Sequence, residues 1–439
     1  MLTLRERLQA LKQIEALQAA GGAGAAQPGS GPPDRVPQRP ADRTRDIAAV
    51  VPDGEEVETP FGPCFHRVVR YPLLHRHGCH ALGEPLSLPP AISGRLARPR
   101  LDRVDLAQAA FLDTETTGLA GGTGTVAFLA GLGHFAGEGG AGEFVLHQFF
   151  LRDYADEPAF LWAIGQHLAP FPYLVTFNGR RFDWPLLEAR FTVTRLRSSL
   201  PQPVQLDLLY PAWALWKRRL GSCRLSHLEE QVLGAGREED VPGWLIPQLY
   251  FTYLRSGDAR PLAPVLRHNL LDILSLVSLT AAVGSRLYAP EAVAAGVEAW
   301  PAGELLAVGR FYEQQGEAGV AVRCYREASS DAACCREALV RLAMLAKRRK
   351  EYRLAEEAWT RLAEEFGSLE ALVELAKLYE HRYGDPARAR EFTERAIQAV
   401  RRRAERFCQP ATETLSALSR RQERLVRKLA KSGSQHLNF

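Results

Sequence analysis

The order of apolar segments between about residues 107 and 288 constrains the fold of this 439-residue chain more than any other feature. Three strand-like runs come first, FLDTET, VAFLAGLGHF and FVLHQFFL, and the AGEGGAG between the last two is typical of a hairpin connection. Helical segments then alternate with two more strand-like runs, YLVTF and VQLDLL, and helices continue to about Tyr288. This order predicts an α/β domain: a mixed sheet with helices on its faces.

From about residue 300 to residue 400 the pattern is helical throughout and contains an internal repeat. Alanines recur at a period of 34, at Ala321, Ala355 and Ala389. A larger residue stands four positions after each of them, at Tyr325, Trp359 and Thr393. The period is that of tetratricopeptide repeats, which are pairs of helices, although the third repeat needs one inserted residue near Tyr383. A plain helical bundle is the alternative. Either fold is a scaffold or a partner-binding module rather than a seat of chemistry.

The remaining segments differ in composition from these two regions. Residues 1–20 predict an N-terminal amphipathic helix, and residues 21–56, with five Gly and five Pro between Gly21 and Pro40, predict a flexible linker. Residues 57–106 are rich in His and Pro and predict one strand near Phe65 to Tyr71, in a segment that packs on the α/β domain. Residues 401–439 carry ten Lys and Arg against three Asp and Glu, so this basic tail is predicted to contact nucleic acid or an acidic partner, unless it is a solvated helix.

Cysteine and histidine are concentrated in residues 64–80. The possible zinc ligands there are Cys64, His66, His75, His77, Cys79 and His80. Their spacing does not match the C-x-x-C framework of common zinc sites, and alternate residues of a strand point to opposite faces. We interpret the segment as a histidine-rich surface loop, with zinc binding as the alternative.

Composition excludes several classes of protein. The formal net charge is only +4, so any nucleic-acid site must be a local patch. Seven cysteines, an odd number without a C-x-x-C pair, indicate a reducing compartment. The N-terminus lacks the apolar centre of a signal peptide, and the most apolar segment, 270–283, contains Asp272. We therefore expect a cytoplasmic protein that does not span a membrane.

Acidic residues at the ends of predicted elements point to a site of chemistry. Asp113 and Glu115 lie two apart on a strand and share a face, where a divalent cation would screen their repulsion; a solvated strand end is the alternative. Asp183 follows a strand and begins a helix, where helix capping is the alternative. His268 and Asp272 are four apart and share one helix face. Because Asp272 has apolar neighbours, an unpaired charge there would be costly, and a ligand role is favoured.

Two more acidic positions have mainly structural interpretations. Asp207 in VQLDLL is expected to be a structural partner, the alternative being an additional acidic group of the site. Ser226 and Glu229 match a capping box at the start of a helix.

The four carboxylates and one histidine follow the order D-x-E, D, H-x-x-x-D, which resembles the motifs of the DnaQ-like DEDD exonuclease superfamily. The segments LDTETTGL, FNGRRFDWPLL, GSCRLSHLE, VPGWLIP and HNLLDILSL resemble more closely the YprB-like family of RNase H-like proteins, in which a tetratricopeptide region often follows the nuclease domain. These motifs span roughly residues 107–288, under half of the chain.

The resemblance implies an RNase H-like fold and a nuclease that hydrolyses phosphodiesters with two divalent metal ions, Mg²⁺ or Mn²⁺. The implied metal ligands are Asp113, Glu115, Asp183 and Asp272. His268 would orient or deprotonate the attacking water. In the histidine subclass the histidine precedes the last Asp by five positions, whereas the spacing here is the four of the tyrosine subclass, so a helix-surface histidine is the alternative for His268.

By the same resemblance the activity is that of a 3′–5′ exonuclease, with DNA as the substrate and DNA repair as the process. Polar residues of the motifs are predicted to contact the substrate: Thr114, Thr116, Asn178, Arg180 and Arg181. For Arg180 and Arg181 a solvated face is the alternative. The helical region is predicted to bind a protein partner, with a helicase as the candidate. The alternatives are an RNA exonuclease of the same fold and a non-catalytic adaptor for nucleic acid or protein.

Overall fold

The computed structural model describes residues 46–118, 124–137, 142–237, 240–294, 300–407 and 412–435. The predicted N-terminal helix, most of the predicted linker and the glycines at 121 and 122 lie outside the described residues. The chain divides into two compact units. The first contains the described residues up to Leu209 together with Arg224–Gly284, and the second contains Tyr210–Cys223 and the described residues from Ser285 onward.

An eight-stranded mixed sheet forms the centre of the first unit. The strands of the whole chain are β1 Gly54–Thr59, β2 Gly62–Pro72, β3 Arg76–His77, β4 His80–Ala81, β5 Ala97–Arg98, β6 Ala109–Thr116, β7 Ala127–Ala136, β8 Glu143–Phe150, β9 Tyr173–Thr176 and β10 Val204–Asp207. The large sheet has the order β1-β2-β8-β7-β6-β9-β10-β5, and β3 pairs with β4 separately. Strand β9 runs parallel to β6 and β10, and the other neighbours are antiparallel.

The helices of the described residues up to Ala294 are, in chain order, α1 Ile47–Val50, α2 Pro90–Gly94, α3 Glu157–Leu168, α4 Asp183–Val193, α5 Leu209–Leu220, α6 Leu225–Leu228, α7 Ile246–Ser256 and α8 Ala263–Ala294, and a π turn, Glu229–Leu233, follows α6. Apart from Leu209, α5 belongs to the second unit, as does α8 from Ser285 onward. Single 3₁₀ turns cover Glu84–Ser87, Leu106–Gln108, Tyr154–Asp156, Arg197–Ser199 and Arg260–Leu262. Helix α3 packs on β2 and β8. Helix α8 packs on the opposite face, where Gly131 and Gly133 of β7 leave room, because a Cβ on either would lie within 3 Å of Ile273.

The predicted order of strands and helices between β6 and β10 is confirmed. The sheet extends beyond it, since residues 46–56, the end of the predicted linker, instead form α1 and the start of β1. The predicted strand near Phe65 to Tyr71 is part of the longer β2, which joins β1 to β8. These additions place His66 inside the sheet, where it is buried, rather than on a surface loop.

One described helical segment, Arg260–Pro290, is long and apolar enough to cross a membrane by length and composition. However, 83% of its most apolar window is buried inside the protein. The core helix of a globular protein can have the same length and apolar composition.

The second unit is helical, as predicted. From residue 300 its helices are α9 Ala302–Gln314, α10 Ala318–Ala328, α11 Cys335–Arg348, α12 Tyr352–Phe366, α13 Leu369–Leu378, α14 Pro386–Phe407 and α15 Thr412–Gln435. Consecutive helices α9 to α14 pack in pairs, α9 with α10, α11 with α12 and α13 with α14. The residues of the 34-residue period are all buried: Ala321, Ala355, Ala389, Tyr325, Trp359 and Thr393. Gly309 allows close packing in the first pair, since a Cβ there would lie 2.6 Å from the Tyr325 ring.

The residue inserted in the third repeat is accommodated inside a helix. A π turn, Tyr379–Tyr383, follows α13 and ends at Gly384, which has a left-handed backbone. A π turn holds more residues than an α turn, so it absorbs the extra residue without a longer loop. The prediction of an insertion near Tyr383 agrees with this position.

Part of the basic charge of the predicted tail pairs within the second unit. Glu380 is buried, and its carboxylate accepts hydrogen bonds of 2.9 Å each from Arg424 and Lys428 of α15. The bond from Arg424 is the main reason why the pKa of Glu380 falls to about 2. These two cations stabilise helix packing, so they are not simply solvated.

Candidate active site

Strand β6 carries the first two carboxylates near the centre of the sheet. Asp113 pairs across the sheet with Gly131 of β7, and Gly131 pairs with Gln148 of β8, so all three positions face α8. A Cβ at Gly131 would lie 2.5 Å from the Asn269 amide oxygen. The missing side chain at this position therefore lets α8 approach Asp113.

A buried amide chain fixes α8 against the strands. Asn269 donates from Nδ2 to Asp113 Oδ2 at 3.0 Å and to the Asp113 carbonyl at 3.2 Å. Gln148 donates from Nε2 to Asn269 Oδ1 at 3.1 Å and to the Leu266 carbonyl at 2.7 Å. Both amide side chains are fully buried. These bonds set the depth and rotation of the helix that carries His268 and Asp272.

Helix α4 brings Asp183 next to Thr114 of β6. Asp183 is the first residue of α4, as predicted, and Thr114 donates its hydroxyl to Asp183 Oδ1 at 2.5 Å. This hydrogen bond links the start of α4 to β6. Helical N–H groups also lie near Asp183, because the first turn of a helix leaves its donors free.

Helix α8 contributes His268 and Asp272 from one face. His268 Nε2 lies 3.4 Å from Asp272 Oδ2 and 3.8 Å from Glu115 Oε1. One possible ligand atom from each of Glu115, His268 and Asp272 lies within 4.8 Å of the others. Residues 153 positions apart along the chain, Glu115 and His268, thus meet at one point.

The carboxylates destabilise one another in their ionised forms. Burial, then the charges of Asp272 and Asp183, raise the pKa of Asp113 well above its usual value. Burial, then the charges of Asp113, Asp272 and Asp183, raise the pKa of Glu115 in the same way. Burial also raises the pKa of Asp183, to about 6, against the opposing effect of the Thr114 bond. Oxygen donors crowded so closely match the ligand set of a hard divalent cation, whose charge would remove this repulsion.

Two residues of the site were missed by sequence reasoning. Arg237, which is almost fully buried, donates to Asp272 and to Glu229. Although burial alone would lower it, the charges of Asp272 and Glu229 raise the pKa of Arg237. Asp240 accepts from His268 Nδ1 at 2.8 Å. No motif could have revealed Arg237 and Asp240, because both come from the irregular segment after the π turn and only the tertiary fold brings them to α8.

The predicted capping box at Ser226 and Glu229 is wrong. Helix α6 has no side-chain cap, and Glu229 lies in the π turn after it. The Glu229 carboxylate instead accepts from Arg237 and from Ser275 of α8. Its role is to neutralise Arg237 beside the carboxylate cluster.

The predicted substrate-binding residues have different surroundings. Thr116 donates its hydroxyl to the Gly118 carbonyl at 2.9 Å, and Arg180 and Arg181 are exposed just before α4. Asn178 has a left-handed backbone, φ 64°, and its N–H donates to Asp207 at 2.7 Å. Asp207 is buried and also accepts from the Leu209 N–H, so the favoured structural interpretation of this residue agrees with its contacts.

Comparison with known proteins agrees with this architecture. A family model of the RNase_H superfamily matches residues 110–283, a range that contains Asp113, Glu115, Asp183, His268 and Asp272. The uncharacterized protein YprB of Bacillus subtilis (strain 168) is 30% identical over 368 residues, which cover 76% of this chain and 80% of that protein. The chain belongs to the YprB family of the RNase H superfamily. The RNase H-like fold is typical of nucleases and usually binds divalent metal ions, so it implies a nucleic-acid substrate.

Proposed function

We propose that this YprB-family protein is a metal-dependent 3′–5′ exonuclease that hydrolyses DNA. The observation that supports this most is the convergence of Glu115, His268 and Asp272, whose possible ligand atoms lie within 4.8 Å of one another although they come from a strand and a helix. The charges of Asp113, Asp183 and Asp272 also act on Glu115, and a bound cation would offset this repulsion. The polarity and the choice of DNA rest on the motif resemblance.

The four carboxylates are the proposed ligands of two divalent ions, Mg²⁺ or Mn²⁺. When bound, such ions stabilise the charge that develops on phosphate oxygens and lower the pKa of a water molecule. Asp113 would be the ligand shared by the two ions, and Asn269, which donates to its Oδ2, would orient the carboxylate. Arg237 occupies Oδ1 of Asp272, so Oδ2 is the oxygen of Asp272 available to a cation.

His268 is the proposed general base. Its Nδ1–H donates to Asp240, which leaves Nε2 as the proton acceptor on the side of Glu115 and Asp272. Although burial would lower it, the Asp240 hydrogen bond and the Asp272 charge raise the pKa of His268. A carboxylate behind an imidazole fixes the tautomer and strengthens the base, which is the role we assign to Asp240.

The chain end of the substrate is proposed to bind at the start of α4. Phe182 immediately precedes Asp183 and is 55% exposed, which is unusual for a large apolar side chain. An exposed aromatic ring can stack on a nucleobase, and Arg180 and Arg181 beside it can pair with phosphates. This combination suits an unpaired strand end delivered to the carboxylates.

DNA repair as the process and a helicase as the partner of the helical unit are proposals from the family resemblance. The paired helices α9 to α14 offer the kind of scaffold that binds a peptide or a protein surface. A strain lacking the protein should then be sensitive to DNA damage. A complementing copy of the wild type should restore resistance, whereas a copy with Asp113→Asn should not.

The proposed activity can be tested with end-labelled oligonucleotides. Single-stranded DNA, duplex DNA and RNA, labelled at either end, are incubated with the wild type and with Asp113→Asn and Asp272→Asn in Mg²⁺, Mn²⁺ or EDTA. Stepwise shortening of 5′-labelled DNA that is abolished in both variants and in EDTA supports the proposal. Asp102→Asn, at an exposed aspartate, is the matched control and should keep the wild-type rate.

The other outcomes are equally informative. Faster shortening of RNA would replace DNA as the substrate and leave the catalytic site as proposed. Cleavage that persists unchanged in both variants would come from a contaminant, and absence of any cleavage with Mg²⁺ or Mn²⁺ would favour a non-catalytic adaptor.

A further inference from the structure

Three histidines meet on the sheet face opposite the carboxylates. His66 of β2, His147 of β8 and His167 of α3 each offer one ring nitrogen, and these nitrogens lie within 4.8 Å of one another. His147 is the neighbour of Gln148, whose side chain faces α8, so the alternation of the strand directs His147 to α3. The cluster is therefore separate from Asp113 and Asp272.

The hydrogen bonds within the cluster leave two ring nitrogens without partners. His66 Nε2 lies 2.9 Å from His147 Nδ1, so one ring donates to the other. His66 Nδ1 and His147 Nε2 are buried and have no hydrogen-bond partner among the described residues. Whichever tautomer is present, one buried N–H then lacks an acceptor and one buried lone pair lacks a donor. His66 is only 5% exposed, so leaving its ring nitrogen without a hydrogen bond lowers the stability of the fold.

His167 is oriented as a metal-bound imidazole commonly is. Its Nδ1 lies 3.0 Å from the Ala163 carbonyl, which can only accept, so the proton is fixed on Nδ1. Nε2 of His167 is left with its lone pair. A backbone carbonyl behind the distal nitrogen is the usual support of a histidine ligand.

We propose that His66, His147 and His167 form a binding site for a transition-metal ion of the zinc class. Three imidazoles are a ligand set that suits Zn²⁺ and its neighbours rather than Mg²⁺. Two nitrogens on one tetrahedral ion are about 3.4 Å apart, so the 2.9 Å pair would need to separate by about 0.5 Å. The ion would cross-link β2, β8 and α3.

The protonation state of the rings suits the proposal. Burial is the main reason why the pKa of His66 falls to about 4 and that of His147 to about 3. Both rings are then neutral at pH 7 and keep a lone pair for a cation. His134 stacks on His147 at a centroid distance of 5.2 Å, and burial lowers its pKa as well, so it adds no charge that repels the ion.

The test uses untagged full-length protein in the Asp113→Asn background with excess Mg²⁺, so that the carboxylate site does not report. Zn²⁺ or Co²⁺ is added to this parent and to two variants that carry either His147→Gln or His167→Gln in addition. Metal content after dialysis, Co²⁺ absorption and Tm are then compared between the parent and the two variants. We expect one tightly held ion, tetrahedral Co²⁺ bands and a higher Tm, all lost in both substitutions. His75→Gln, in the same segment but outside the cluster, should behave like the parent.

X-ray absorption of the Zn²⁺-loaded parent keeps the proposal testable if the substitutions fail to fold. Two or three imidazole ligands support the site. Binding with oxygen ligands alone, no binding above background, or the same content and spectrum in folded His147→Gln and His167→Gln would overturn it. None of these outcomes bears on the proposed nuclease activity.

Discussion

Replacement of Asp183 by Asn tests the idea that the carboxylate cluster is assembled for a cation at the expense of stability. Asparagine keeps the size of the side chain, and its Oδ1 can still accept from Thr114. What is removed is a charge held in a partly buried, acidic site. We therefore expect Asp183→Asn to stabilise the metal-free protein while it abolishes the proposed activity.

The magnitude follows from the pKa. Burial raises the pKa of Asp183 from 3.8 to about 6. A shift of roughly two units corresponds to about 3 kcal/mol, which is the upper limit of the expected gain in the free energy of unfolding. For a unit of 150 to 250 residues this is a rise in Tm of at most about 6–12 °C.

The sign depends on pH in a defined way. The folded-state pKa is raised, so the penalty is absent below pH 3.8, where both states are protonated, and complete above pH 6. Wild type in EDTA should therefore lose stability as the pH rises from about 4 to 6, and Asp183→Asn should lose less. Saturating Mg²⁺ or Mn²⁺ should reverse the order at pH 8, because only the wild type holds the full ligand set.

Calorimetry of both proteins in EDTA at pH 4 and pH 8 measures the effect, with Asp102→Asn as the control for loss of an exposed carboxylate. The reasoning is refuted if Asp183→Asn is no more stable than the wild type at pH 8, or if its advantage is the same at pH 4.

Three other changes test the surroundings of the cluster. Asp240→Asn should lower the rate about 10- to 100-fold and shift the acid limb of the pH–rate profile to lower pH, because His268 loses the bond that raises its pKa. Arg237→Met should cost about 3–5 kcal/mol in denaturant unfolding, since it leaves buried carboxylates unpaired; a combined Glu229→Gln change should recover part of this. Gly131→Ala should lower Tm and rate together by displacing α8, at a cost of about 1–3 kcal/mol, whereas Gly124→Ala, with open space around it, should change neither.

The fold was largely predictable because it depends on local periodicity. Strands β6 to β10 and the helices between them follow from apolar runs and turn residues, and the helical unit follows from a fixed period. Residues 46–56 were misjudged because the composition of the preceding linker was extended too far. Strand β1 is amphiphilic and short, and it is stabilised by pairing with β2 rather than by its own pattern.

The candidate site was predictable only where its residues stand in short motifs. Asp113 and Glu115 are recognisable because a strand places them on one face, and Asp272 because its neighbours are apolar. Asp240 and Arg237 are isolated charged residues in an irregular segment, and nothing in their local sequence distinguishes them from a solvated loop. The histidine cluster was missed for the same reason, since His66, His147 and His167 come from three elements.

The π turn at Tyr379–Tyr383 shows how a helical array can change length unnoticed. The added residue is accommodated as a wider turn within the helix, so the next helix keeps its packing position. The 34-residue spacing from Ala355 to Ala389 is kept across the π turn, and Ala376, Tyr379 and Ala389 are all buried, so the third pair keeps its packing positions. Related chains of unequal length can in this way present equivalent surfaces.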